Sequence, residues 1–144
     1  MAEAAAHDGH VFPVRVYYED TDAAGIVYHA NYLRYAERAR SEMMRGFGIE
    51  SSELWERERM NFAVARCVVD FLKPARLDDA LEVHTRIVDV GHASLRAEQT
   101  VTCREALLVR MLIRLAAVDR AGRAVRLPAT LRKTLINLSQ SREK

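Results

Sequence analysis

Apolar positions first recur every second residue. In "FPVRVYYED", Val14, Val16 and Tyr18 alternate with Arg15, Tyr17 and Glu19, the period of a strand with one buried face. The period then changes. Asn31 is a good N-cap, and after it "YLRYAERARSEMMRGFG" sets Tyr32, Ala36, Ala39, Met43 and Phe47 at three- and four-residue spacing. Arg34, Glu37, Arg38, Arg40 and Glu42 fall largely elsewhere, which predicts one amphipathic helix. Gly46 and Gly48 supply its stop, and Ser51 or Ser52 can cap a short second helix through "SELWERER".

Beyond Met60 the period is two again. "FAVARCVVDFLKP", "ALEVHTRIVDV", "SLRAEQTVTCRE" and "LLVRMLIRLAAVD" read as four strands. Pro74 with "ARLDD", the pair Gly91-His92 and "DRAG" mark the connections, and the gap around Glu105-Ala106 is short enough for a hairpin. Short links between consecutive strands imply antiparallel pairing. The fold class is therefore α+β, with one long helix covering a sheet face and Ala36 and Ala39 allowing close approach. "LPATLRKTLINLSQSREK" adds a terminal turn or helix, and residues 1–11 and 139–144 are expected to be flexible tails.

Composition narrows the functional classes. A chain of 144 residues forms one domain, able to bury roughly 70 % of its unfolded surface. Its 49 % apolar and 29 % charged residues are ordinary globular values. No run approaches a membrane span, and the start lacks the pattern of a secretory leader. Cys67 and Cys103 lie in alternating runs without ligand spacing and read as reduced, buried thiols. His7, His10, His84 and His92 are scattered, without paired zinc spacing. These features imply a cytoplasmic protein with no metal and no cofactor. Net charge is +2, yet residues 104–144 hold 10 basic against 3 acidic side chains. Arg110 and Arg114 lie there at strand spacing without an aromatic platform, so nucleic-acid binding is not indicated.

The chemistry is concentrated where the first strand ends. Asp20 and Asp22 stand there, Gly25 permits a conformation other residues resist, and the helix follows within a few residues. A helix start presents unsatisfied N–H groups and about half a unit of positive charge. Donors for a developing oxyanion beside a carboxylate are the two parts of an acyl-transfer site. Taken piecemeal, acids before a helix are more often caps or turn formers, and a lone histidine is more often packing or surface.

The string "DTDAAGIVYHANY", within "RVYYEDTDAAGIVYHANYLRYAERARSEMMR", resembles the signature of hotdog-fold acyl-CoA thioesterases of the 4-hydroxybenzoyl-CoA thioesterase superfamily, and within it the Tol-Pal-associated YbgC-type branch. The likeness continues in "KPARLDDALEV". It implies a hotdog fold, a long central helix wrapped by a five-stranded antiparallel sheet, in a homo-oligomer of edge-paired dimers or a tetramer with sites between subunits. By position it places the catalytic carboxylate on Asp22, with Asp20 supportive, and the polarising backbone N–H on His29. Gly25, Tyr28 and the His29 imidazole fall at substrate-positioning places. The implied substrate is an acyl-CoA, hydrolysed to free acid and CoA. An acyl carrier protein substrate and a non-catalytic scaffold at the cell envelope remain alternatives; a hydratase fits the seven-residue spacing of Asp22 and His29 less well. Phe62, Val64, Val68 and Leu72 either line the acyl pocket or fill the core, the core being the first expectation, and Arg76 reads as a charged turn residue.

Overall fold

The computed structural model describes residues 9–140. Among them five strands form one antiparallel sheet: β1 (His10–Arg15), β2 (Asn61–Phe71), β3 (Ala80–Val90), β4 (Ser94–Cys103) and β5 (Ala106–Val118), in the spatial order β1-β3-β4-β5-β2. Helix α1 (His29–Arg45) lies across the sheet, α2 (Ser51–Glu53) runs on into a π-helical turn at Leu54–Glu58, and α3 (Ala129–Gln140) closes the described chain. This is the hotdog arrangement of a helix wrapped by a five-stranded sheet. Of the expected tails, residues 1–8, with His7, and 141–144 lie outside the described residues. His10 and Val11 pair with Thr85 and His84 in β1, and Ser139 and Gln140 end α3.

The helix sits close to the sheet because its contact surface is small. Ala36 and Ala39 are fully buried, flanked by Tyr32, Tyr35, Met43 and Met44. Gln99 of β4 is buried beneath them and donates from its amide nitrogen to the Ala36 carbonyl at 3.0 Å and to the Thr85 hydroxyl at 2.8 Å. Its amide oxygen accepts from the Arg40 guanidinium at 2.9 Å. A helix bond bifurcated to a sheet side chain needs this close approach, and the two alanines permit it.

Four expectations change. The helix starts at His29, not after Asn31; Tyr28 takes the cap place without a side-chain cap, and Asn31 sits inside the first turn. Phe47 is exposed, because the helix ends at Arg45. The short second helix is preceded by Glu50, not by a serine cap. Strands β2 and β3 follow one another but do not pair, since β2 returns to the far edge beside β5. The link from Leu72 to Asp79 therefore crosses the end of the sheet rather than closing a hairpin. The β4–β5 hairpin does form, turning at Arg104 and Glu105 with φ of 52° and 70°.

A bulge in β2 decides which residues face the helix. Val64 opposes Leu115 and Arg66 opposes Arg114, so Ala65 is the extra residue and the alternation slips by one. Phe62 and Val64 share the inner face before the bulge; Cys67, Val69 and Phe71 share it afterwards. Val68 is thereby carried to the outer face. It and Val64 and Leu72 are exposed in the single chain, 41 %, 54 % and 49 % respectively, which overturns the core expectation for all three. Only Phe62 packs against the core.

Candidate active site

Asp20 is the hub that joins the end of β1 to the start of α1. Its carboxylate accepts from the Tyr17 amide at 2.8 Å, and its carbonyl accepts from the Tyr28 amide and the Asn31 side chain, each at 2.9 Å. Asn31, expected to cap the helix, instead ties the helix to this acid. Thr21 bridges Val27 to close a small loop, whose crest is a turn at Asp22 to Gly25. The Gly25 amide donates to the Asp22 carbonyl and the Ile26 carbonyl accepts from the Asp22 amide, both at 2.9 Å. Gly25 has φ of +82°, and no atom lies within 4 Å of where a Cβ would stand. Conformation, not crowding, selects glycine there, and the loop crest is left open.

The loop that carries Asp22 closes at Val27, two residues before α1 begins. One oxygen of the Asp22 carboxylate accepts from the Ala24 amide at 2.9 Å, a local Asx turn that orients the group. The amides of His29 and Ala30 precede any intrahelical acceptor, and no partner for them is found among the described residues. A second strut comes from the "KPARLDD" segment: Ala75, fully buried, accepts from the Val27 amide at 2.9 Å and donates to the Tyr32 hydroxyl at 3.0 Å. Arg76 beside it is exposed and its amide donates to the Asp79 carboxylate at 2.8 Å, the turn role expected of it. Burial raises the Tyr32 pKa against the opposing effect of the Ala75 amide.

Tyr28 and His29 lie together, ring centroids 4.6 Å apart, and Phe71 meets the imidazole edge-on at 6.0 Å. Phe71 also packs on Tyr32 at 5.9 Å. Asp22, Gly25, Tyr28 and His29 are all exposed in the single chain. The structure therefore gathers the four residues on one loop and helix start, at the Phe71 end of β2. The contact of Phe71 with His29 was not expected; Phe71 ends the run beginning "FAVARC", which the sequence alone could not set beside a histidine 42 positions earlier.

At the opposite end of β2 the second half of α1, α2 and the first strand residues enclose a cavity of about 510 Å³. Arg40, Ser41, Met44, Leu54, Phe62 and Val64 line it. Cys67, half-buried and free, has its thiol pKa raised by burial against the pull of Arg40, which suits packing rather than attack. Among the described residues no group of three or more His, Cys, Asp or Glu is set to hold a metal, and no helix is long and apolar enough to cross a membrane.

Residues 16–135 match the thioesterase-like superfamily. The chain is 41 % identical over 112 residues to the acyl-CoA thioesterase YbgC of Haemophilus influenzae, an alignment spanning 78 % of this chain and 82 % of that protein. Among solved structures, it is 38 % identical to a probable thioesterase from Bartonella henselae, with a TM-score of 0.79 over 83 % of this chain and 98 % of the other. A thioesterase from Thermus thermophilus, complexed with coenzyme A and zinc, is 33 % identical, with a TM-score of 0.78 over 90 % and 94 % of the two chains.

Proposed function

The chain belongs to the thioesterase-like superfamily, and we propose that it hydrolyses acyl-CoA thioesters with Asp22 as its catalytic carboxylate. One observation carries the assignment of the site: Asp22 stands on a loop braced by Asp20 against a helix start whose first amides, at His29 and Ala30, have no partner among the described residues. The thioester carbonyl accepts from those amides, which stabilise the negative charge as it develops on oxygen. Asp22 either attacks the carbonyl carbon or takes the proton of the attacking water. The C–S bond breaks, CoA leaves as the thiolate, and water supplies the hydroxyl of the free acid. A thioester has weak resonance and a good leaving group, so a carboxylate and oriented donors suffice without a Ser-His-Asp triad. Tyr28 and the His29 imidazole flank the approach, and Gly25 keeps the loop crest clear.

The same reading calls for a second subunit. Among the described residues strand β2, eleven residues long, has no partner on its outer side, and Ala63, Val64, Ala65 and Val68 are exposed, an arrangement that proteins cover or pair. Pairing with β2 of a second copy, across a two-fold axis near Arg66, reverses the strand. It sets the partner's cavity beside His29 and Phe71, where it receives the acyl group. Pairs of such dimers would give the tetramer implied by the resemblance. The two free thiols fit a reducing cytoplasm.

The test is thiol release from an acyl-CoA panel running from acetyl through short branched chains to palmitoyl and benzoyl, by the wild-type chain and Asp22→Asn. The expected result is turnover of one acyl class and a loss of about 10²–10⁴-fold in kcat for Asp22→Asn. Wild-type turnover by a folded Asp22→Asn would remove Asp22 from the mechanism, and silence across the panel would turn the assignment towards a carrier-protein substrate or a scaffold.

A further inference from the structure

The cavity of about 510 Å³ beside the second half of α1 has an apolar wall, Met44, Ile49, Leu54, Phe62 and Leu115, with charged side chains set around it. Its volume is that of a small-molecule site. The charges are unequally matched. Arg45 lies 3.6 Å from Glu42 and 3.6 Å from Glu50, so the Arg45 and Glu50 of the lining answer one another. Arg40 forms no ion pair among the described residues. Its one side-chain hydrogen bond there runs from Nη1 to the neutral amide oxygen of Gln99, at 2.9 Å. The other N–H groups of the guanidinium have no partner among the described residues, although the side chain is half-buried. Burial lowers the Arg40 pKa, with the Glu37 carboxylate acting the other way, and an arginine side chain remains charged all the same.

A charge set against an apolar wall with one neutral acceptor costs stability until something answers it. The chain's own answer is incomplete. Gln99 is fully buried and anchored, its amide nitrogen donating to the Ala36 carbonyl at 3.0 Å and to the Thr85 hydroxyl at 2.8 Å, so its oxygen holds the Arg40 fork in one place. A fork already held has less rotamer freedom to lose when it meets a ligand. Glu37, three residues earlier on α1, is the acid of the lining left to face Arg40, but it is exposed and makes no ion pair with it. We propose that this cavity binds an apolar chain ending in a carboxylate, with Arg40 holding the carboxylate and Met44, Leu54 and Phe62 the chain. A planar guanidinium meets a carboxylate with two parallel hydrogen bonds. One cation matches one negative charge, whereas a phosphate monoester brings about 1.5–2 and leaves an excess beside Glu37 and Glu50. This binding needs neither thioester hydrolysis nor a second subunit. Two sources present the same chemistry: a free aliphatic acid, or the far end of a dicarboxylic acyl group still joined to CoA.

Chemical-shift titration of the full chain with hexanoate and with 1-hexanol at pH 7 isolates the charge, because the two ligands share a chain length. The expected result is a Kd for hexanoate at least about tenfold below that for hexanol. Arg40→Gln should abolish the difference, and Arg40→Lys should keep part of it. Equal binding of the two ligands, no binding of hexanoate, or a folded Arg40→Gln that retains the difference would overturn the inference. Should Arg40→Gln not fold, Glu37→Gln decides at an exposed position. Removing the competing acid tightens hexanoate about twofold or more if Arg40 holds the carboxylate, and an unchanged Kd would count against it. Hydrolysis of adipyl-CoA against hexanoyl-CoA identifies the source. A preference for adipyl-CoA that Arg40→Gln removes puts the carboxylate on the acyl group; no preference, beside hexanoate binding that depends on Arg40, makes the ligand the free acid. Such binding in a chain that hydrolyses no thioester would leave this inference standing and remove the thioesterase reading. Hydrolysis by a chain that binds hexanoate no better than hexanol would do the reverse.

Discussion

Asp20 and Asp22 lie two residues apart, yet the fold gives them opposite surroundings. The first accepts hydrogen bonds on its carboxylate and carbonyl and is wrapped into the loop; the second is exposed at the crest. The resemblance assigns catalysis to Asp22 and support to Asp20, an assignment with which these surroundings are compatible. It could not reveal what Asp20 does to Tyr35. That side chain is 1 % exposed, and its hydroxyl has no hydrogen-bond partner of normal geometry among the described residues, though Asp20 is close enough to act on it. Burial, and then the neighbouring carboxylate, push the Tyr35 pKa well above the usual tyrosine value. A raised folded pKa means that the group's contribution is complete below the unfolded pKa, about 10, and is lost as pH climbs towards the folded value. Tyr35→Phe is therefore expected to leave stability at pH 7 unchanged or raised by up to about 1 kcal/mol. It should flatten the fall of unfolding free energy above pH 10 by as much as about 1.4 kcal/mol per pH unit. Urea melts at pH 7, 9.5 and 11 measure both; an unchanged alkaline slope would show that Tyr35 does not titrate with unfolding.

Periodicity made the elements legible because each strand and α1 has one buried face, and period is what a one-sided burial leaves in a sequence. It located α1 and all four strands after it. It missed the β2 bulge, since an inserted residue shifts faces without interrupting an apolar run, and so Val64 and Val68 were assigned together although Ala65 separates their faces. Strand neighbours were illegible for a different reason: β2 carries apolar side chains that suit either a central strand or a paired edge, and only the sheet order tells them apart. The Arg104-Glu105 turn lacks the glycine or asparagine that its positive φ values favour, which hid its geometry. Also invisible was the bond network under α1, where a glutamine in "RAEQT" becomes the buried anchor of a helix. Gln99→Leu keeps the volume but strands the Arg40 guanidinium and the Ala36 and Thr85 oxygens. A loss of about 2–4 kcal/mol is expected in denaturant unfolding. Adding Arg40→Met should recover part of it, because the uncompensated charge is then gone; a double variant no more stable than Gln99→Leu would show that the guanidinium contributes nothing to the cost.

In the single chain the proposed site and its proposed acyl cavity stand apart. The proposed catalytic groups lie exposed on one rim, the 510 Å³ cavity opens at the other end of β2, and the strand between them ends the sheet with no partner on its outer side among the described residues. No rearrangement within one subunit joins the two ends, because β2 is held in register with β5 along most of its length. The two-fold pairing of β2 proposed above would join them by reversing the strand. Fold and stability should then be separable from assembly and activity, since Ala63 and Val68 are exposed in the single chain and contribute little to its core. Ala63→Lys with Val68→Lys, both outside the lining of the 510 Å³ cavity, places like charges along the two paired edges, where opposed cations destabilise pairing. The expected outcome is a monomer in sedimentation, with the far-ultraviolet circular dichroism of the wild type and thioester hydrolysis reduced more than tenfold. Activity that rises again with protein concentration would follow from mass action on the weakened dimer. A variant that is monomeric at every concentration and still turns over at the wild-type rate would show that one subunit holds a complete site, and that β2 is covered for some other reason.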